Sequence, residues 1–404
     1  MLTRRSLLGR IAGTAGALAA PAWLAPRLSL AAPAAGEARF VLLLLRGAVD
    51  GLALAPPVGD PDYARLRGAA SLAGAPGLQR LDGLFALHPA LGFVAERWRG
   101  GEATLLHAVA TPYRERSHFD AQDVLESGHA RPHAARTGWL NRALSGLPRA
   151  AGAPGAAPRA VALGAAVPLV LRGGNEVASW SPGRLPRVDG DTLQRFADLY
   201  ADDALLARRL AEAGEAQAMA GGDAAAMGAG RGGLAQFAQM SRAAASFLAR
   251  EEGPRVAVLE TSGWDTHAAQ GDLDGALAAR LAALDAGLRA LHAGLGGAWR
   301  HTVVLAVTEF GRTVAVNGTR GTDHGTGAAA LLLGGAVRGR VIADWPGLAP
   351  QALHEGRDLR PTLDLRAVQA AVLREHLGIA PEYIAREVFP DGPRLARIEG
   401  LVRA

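Results

Sequence analysis

The chain has no cysteine and no lysine, and aromatic residues make up only 5% of its 404 positions. Without cysteine there is no disulfide, no thiolate metal site, no iron–sulfur cluster and no cysteine nucleophile. Without lysine, all 43 basic residues are arginine, so the high isoelectric point follows from residue choice. Arg4, Arg5, Arg10 and Arg27 fall in the first 34 residues, which hold no acid; the other 39 arginines nearly balance 38 acidic residues. That balance gives no support to a nucleic-acid face. Long apolar runs are also missing: Ile11–Ala25 is interrupted by Pro21 and is shorter than the ~20 residues that cross a bilayer.

The 49% of apolar residues is ample for a large core. At the start, Thr3-Arg4-Arg5-Ser6-Leu7-Leu8 precedes a weakly hydrophobic Ala/Gly-rich run, and Ala32-Pro33-Ala34 offers a small-x-small cleavage site. This pattern resembles a twin-arginine export signal. The expectation is a signal over residues 1–34 and a single α/β domain over 35–404. It places the protein in the periplasm or cell envelope. The twin-arginine translocase is then a partner during export, and the mature chain has no stable membrane span.

Short apolar runs at Phe40–Leu45, Ala103–Val109, Arg159–Leu163, Leu169–Leu171, Arg255–Glu260, Thr302–Thr308 and Ala328–Leu333 have strand length and little alternation. Such runs suit strands buried on both faces, as in a parallel sheet covered by helices. Helical segments are expected at Pro89–Arg99, His118–Glu126, Thr192–Ala213, Leu234–Glu251, Leu273–Ala293 and Leu365–His376. Leu277, Leu281, Leu284, Leu288 and Leu291 form a stripe on one helix face. Ala150–Pro158 and Ala220–Gly233 read as loops.

Ligands of such sheets bind at the carboxyl ends of the strands. Polar clusters adjoin five apolar runs: Arg46–Gly51, Thr111–Asp120, Thr261–His267, Glu309–Thr313, and Gly321–Gly327 ahead of the last run. Asp50, Asp265, His267, Glu309, Asp323 and His324 supply carboxylates and imidazoles without thiolates, a donor set suited to Zn, Mn, Mg or Ca. Ser117, at a helix start, is a candidate nucleophile. Arg46, Arg116 and Arg312 are candidates for holding an anionic substrate. Each residue also has a structural reading. Asp50-Gly51 suits a turn, Ser117 an N-cap, Glu309 a partner for Arg312, and His324 a backbone bond. His118 is left undecided. The other histidines, His107 and His376 among them, are assigned to structure.

Taken in order, these pieces resemble the bacterial family called domain of unknown function 1501, grouped with the alkaline phosphatase and sulfatase superfamily. The matching segments are Leu44–Leu52, Arg116–Asp123, Thr137-Gly138-Trp139-Leu140, Gly263–His267, Thr308–Thr313 and Gly321–Gly325. The resemblance implies an alkaline phosphatase-like three-layer sandwich, with a mostly parallel central sheet and helices on both faces. It also implies divalent metal at the carboxyl edge. Asp265, His267 and His324 would hold a first metal; Asp50, Glu309 and Asp323 would hold a second. Where the superfamily has Asp-His-Gly, this chain has Glu309-Phe310-Gly311, and Phe310 cannot ligate.

The expected function is an exported metal-dependent hydrolase acting on phosphate or sulfate esters of an anionic small molecule or envelope substrate. The alternative is a non-catalytic envelope binding or assembly protein that keeps the fold. A third reading makes Arg65–Gly83 a substrate-facing loop for an envelope polymer.

Overall fold

A computed structural model describes residues 37–148, 159–182, 233–392 and 395–403, with a few positions between 197 and 211. The export signal, the Ala150–Pro158 loop, all of the Ala220–Gly233 loop except Gly233, and most of the Thr192–Ala213 helix lie outside the described residues, while Gly233 opens a helix.

The apolar runs become strands. In chain order these are β1 (Arg39–Arg46), β2 (Gln79–Arg80), β3 (Ala86–Leu87), β4 (Ala103–Ala110), β5 (Ala160–Leu163), β6 (Ala178–Trp180), β7 (Val256–Ser262), β8 (Thr302–Val307), β9 (Ala328–Leu333), β10 (Arg340–Ile342) and β11 (Leu363–Asp364). β2 and β3 form a small separate hairpin. The others make a nine-stranded sheet in the order β10-β4-β9-β8-β1-β7-β5-β6, with β11 also on β4. Leu169–Leu171 was expected as a strand and instead makes a single 3-10 turn. Pro168 bounds it on one side and Gly173-Gly174 on the other, leaving too few residues for a ladder.

All pairings in this sheet are parallel except those of β9, which runs antiparallel to both β8 and β4. The carboxyl ends of β1, β4, β7 and β8 therefore share one edge. A reversed strand begins at the edge where its neighbours end, so the loop before β9 opens at that same edge. This is why four polar clusters that follow strands and one that precedes a strand have a common destination.

Helices cover both faces, giving the expected three-layer mixed, mostly parallel α/β sandwich. The helices used below are α1 (Gly51–Leu54), α2 (Tyr63–Arg67), α3 (Gly92–Arg99), α4 (His118–Ser127), α5 (Trp139–Ser145), α6 (Gly233–Leu248), α7 (Ala276–Leu295) and α8 (Leu365–Glu375). Alternation along β1 divides the core. Val41, Leu43 and Leu45 pack with Phe93 of α3, Phe247 of α6 and the α7 leucine stripe. Phe40, Leu42 and Leu44 pack with Trp139 and Leu140 of α5 and Val368 and Val372 of α8. Every leucine of the α7 stripe is buried. Among the described residues no helix is long and apolar enough to cross a membrane.

Candidate metal centre

The site forms where chain excursions leave that shared edge. After β4 the chain turns through Arg116, whose backbone is left-handed (φ 63°), and enters α4 at His118. After β7, Gly263-Trp264 leads to Asp265 and His267. The excursion from β8 to β9 carries Glu309 and Phe310 at its start and Asp323 and His324 near its end. Two glycines permit the close approach. A Cβ on Gly321 would sit 2.3 Å from the His267 carbonyl carbon and oxygen. Gly47 has φ +119°, and a Cβ there would sit 2.7 Å from the Asp265 nitrogen.

Three imidazoles surround one carboxylate. Nε2 of His267 is 3.1 Å and Nε2 of His324 is 3.3 Å from Asp265 Oδ1, and Nε2 of His118 is 3.5 Å from Asp265 Oδ2. The Nε2 atoms of His267 and His324 are 2.9 Å apart. One ligand atom each from His118, Asp265 and His324 lie within 4.8 Å of one another. Tetrahedral zinc with ~2.05 Å bonds separates its ligand atoms by ~3.3 Å, which is the scale seen here.

Each histidine is fixed from behind at Nδ1. His118 Nδ1 is 2.8 Å from Glu309 Oε1, His267 Nδ1 is 3.1 Å from Asp323 Oδ1, and His324 Nδ1 is 2.9 Å from the Arg116 carbonyl. An oxygen acceptor at Nδ1 places the proton there and leaves the Nε2 lone pair pointing inward, the second-shell pattern of metal-binding histidines. His118 Nε2 is buried and has no hydrogen-bond partner among the described residues. A buried ring nitrogen without a partner is costly unless something fills its direction. The donor chemistry, the converging lone pairs and this orphaned nitrogen all fit a divalent cation.

The charges around the site have named sources. The Glu309 hydrogen bond holds the His118 imidazole above its ordinary range, against the opposing effect of burial. Burial, with the neighbouring His118, pushes His324 down. Burial acts to raise the Asp265 carboxyl, but the Arg312 hydrogen bond and charge outweigh it and hold it low. Glu309 is likewise held low despite burial, by bonds from His118, Gln122 and the Gly47 amide. Phe310 packs its ring 4.9 Å from that of His118 and 5.0 Å from that of His324, so it forms an apolar wall where a ligand was absent by sequence.

The expected residues divide by position. Asp265, His267 and His324 share the centre, and Glu309 and Asp323 stand behind histidines. Asp50 lies elsewhere. Its Oδ1 caps α1 by accepting from the Leu52 and Ala53 amides, and its Oδ2 pairs with buried Arg67 and accepts from Gln270 Nε2 at 2.7 Å. Arg312 is buried, and its guanidinium donates to the carbonyls of Gly47, Ala48, Trp264 and Thr322 and to Asp265. Those bonds make it a clamp between loops; its pair is Asp265 and not Glu309. Arg116 pairs with buried Asp358 at 2.8 Å and with Glu355, so its carbonyl and not its guanidinium serves the cluster. Arg46 bonds Glu126, Glu260 and Gln122. Ser117 occupies the N-cap position of α4, yet its side chain makes no capping bond. Within Arg65–Gly83, Arg67 turns inward to Asp50.

Sequence reasoning left His118 undecided. The available signal was its position: the first helical residue after a strand end, next to a hydroxyl, inside one of the five polar clusters.

No curated protein matches the sequence. Among solved structures, the phosphonate monoester hydrolase of Agrobacterium radiobacter is 11% identical, with 88% of this chain and 78% of that chain covered and a TM-score of 0.37. The complex of Ps i-CgsB with k-i-k-neocarrahexaose is 10% identical, with 74% of this chain covered and the same TM-score of 0.37; this chain spans 65% of that one. Residues 85–386 match the family described as protein of unknown function DUF1501, and with most of its length inside that match the chain belongs to this family.

Proposed function

We propose that the protein is an exported, metal-dependent hydrolase of phosphate or sulfate esters with an alkaline phosphatase-like site. The observation that carries this reading is the His118–Asp265–His267–His324 cluster, with each imidazole tied at Nδ1 and turned inward at Nε2. Of these, His118, Asp265 and His324 would hold one divalent cation, with His267 beside them against Asp265. Bound there, it would supply Lewis-acid polarisation of an ester oxygen. Asp265 and the imidazoles would hold the cation, and the Phe310 ring walls one side of it. Arg312 keeps Asp265 ionised. Ser117, one residue before His118, is the candidate for the attacking hydroxyl, with the first turn of α4 and its free amides beside it. Asp50 has no part in this set, and Glu309 and Asp323 act as orienting carboxylates, so the reading needs one metal and not two. Export by the twin-arginine route and a periplasmic or envelope location belong to the same proposal and rest on the Arg4-Arg5 pattern.

Purified protein should carry about one equivalent of Zn, Mn, Mg or Ca by elemental analysis, and should cleave one member of a phosphate, phosphonate and sulfate ester panel when that metal is supplied. Protein that neither holds nor gains any of these metals sinks the reading. The non-catalytic alternative keeps one specific support, Phe310 at a position where a ligand was expected. It predicts metal uptake with no cleavage and no effect of Ser117→Ala.

A further inference from the structure

Beside the cluster, at the carboxyl edge of β1, β5 and β7, lies a pocket of about 700 Å³. That volume suits a small organic ligand, for which pockets run roughly 300–1,000 Å³. Its walls carry Arg46, Glu126, Arg172, Glu260 and Arg280, with Met240 as an apolar surface. The pocket joins the cluster through a hydrogen-bonded chain. Arg46 Nη1 donates to Gln122 Oε1 at 2.9 Å, Gln122 Nε2 donates to Glu309 Oε1 at 3.1 Å, and Glu309 holds His118.

The charges in the pocket are unequally used. Arg46 is engaged by both acids, at 2.8 Å from Glu126 and 2.8 Å from Glu260. Arg172 and Arg280 meet no carboxylate among the described residues. Arg172 donates from Nε to the Val167 carbonyl, and Arg280 makes one long bond of 3.4 Å from Nη1 to the Ser262 carbonyl. Arg280 Nε is buried and has no acceptor among the described residues. Its guanidinium lies against Gly263, where a Cβ would come within 2.6 Å of Cζ. A guanidinium that lines a cavity, packs on bare backbone and meets no carboxylate among the described residues is arranged for an incoming oxyanion.

We propose that this pocket holds the non-reacting part of the substrate and that Arg172 and Arg280 receive a second oxyanion carried on it. The proposal rests on the ester-hydrolase reading and narrows it to organic esters with an additional phosphate, sulfate or carboxylate group. Their neutral counterparts would be held weakly, because they offer those two guanidinium groups no anionic partner.

The test is calorimetric titration of chelator-treated full-length protein with glucose 6-phosphate and with glucose. The phosphorylated sugar binds and glucose does not. Arg172→Gln, an exposed change, weakens binding at least threefold. Arg172→Gln with Arg280→Gln weakens it at least tenfold, and Arg280→Lys restores part of the loss to Arg280→Gln. Circular dichroism melting checks that each variant is folded. Absent binding by the wild-type protein, or equal affinity in wild type and Arg172→Gln, overturns the proposal. Failure of the cluster to take up metal while glucose 6-phosphate still binds condemns the hydrolase reading and leaves the pocket assignment standing.

Discussion

Glu309 Oε1 sits 2.8 Å from His118 Nδ1, and the same oxygen accepts from the Gly47 amide at 2.8 Å and from Gln122 Nε2 at 3.1 Å. One carboxylate oxygen therefore ties together the end of β1, the first turn of α4 and the exit of β8. It also fixes which nitrogen of His118 faces Asp265. Glu309→Gln offers at best a neutral acceptor to that ring. We expect metal affinity to fall ~10–100-fold with stoichiometry unchanged, as is usual when the carboxylate behind a ligating histidine is lost. Competition against a chromophoric chelator measures this; a Glu309→Gln affinity equal to wild type removes the orienting role.

His118→Ala and His324→Ala should each reduce metal uptake more than Glu309→Gln, because each deletes a donor and not its support. Uptake by inductively coupled plasma analysis gives the ranking. Chelation of wild-type protein should lower its melting temperature, since a ligand bound only by the native state stabilises it by mass action. In His118→Ala the chelator should have little further effect.

Asp50 and Arg67 form a pair whose side chains are 1% and 0% exposed. Removing one partner strands a buried charge. Arg67→Met should cost ~3–5 kcal/mol in urea unfolding, while Arg67→Met combined with Asp50→Asn should cost less than the sum of the two single changes. The position of this pair away from the centre predicts unchanged metal stoichiometry in every variant that folds.

Two buried histidines set an acid limit. Burial pushes His107 down to about 4 and His376 down to about 3, from an ordinary value of about 6.5. Below pH ~6.5 the unfolded chain takes up protons that the folded chain refuses, so stability falls with falling pH. The loss continues through about 4 for His107 and about 3 for His376. Each contributes a slope of up to ~1.4 kcal/mol per pH unit. Urea midpoints at pH 7, 6 and 5 should decline. In His376→Gln the decline should be shallower; an unchanged slope would remove His376 from the account.

Gly321→Ala tests the packing of the loop before β9 on the one after β7. A Cβ at this position has no room beside the His267 backbone. We expect lost metal affinity together with a melting temperature several degrees lower. A variant that keeps both properties would show that the two loops can separate at no cost.

The fold was legible because its strands are runs buried on both faces, and β1, β4, β7, β8 and β9 each appear within a residue or two of the expected span. The α7 stripe was equally plain, since Leu277 to Leu291 repeat at helical spacing. What failed was short or relational. Leu169–Leu171 has strand composition, but three residues after a proline carry no period. The reversal of β9 leaves no trace in its own composition. Asp50 follows β1 as the ligand expectation requires, yet its partners Arg67 and Gln270 come from distant segments that no local spacing reveals. His118 stays undecided by sequence because its marks, Glu309 behind it and Asp265 before it, exist only after folding.

The antiparallel course of β9 has a mechanical consequence. Glu309 and His324 stand on a single ribbon anchored at both feet in adjacent strands, whereas Asp265 and His267 hang from a strand on the far side of β1. A shift of that ribbon would carry His324 together with Glu309 and Asp323, the carboxylates backing His118 and His267, and Arg312 ties the ribbon to Asp265, so the ligands would move together rather than one by one.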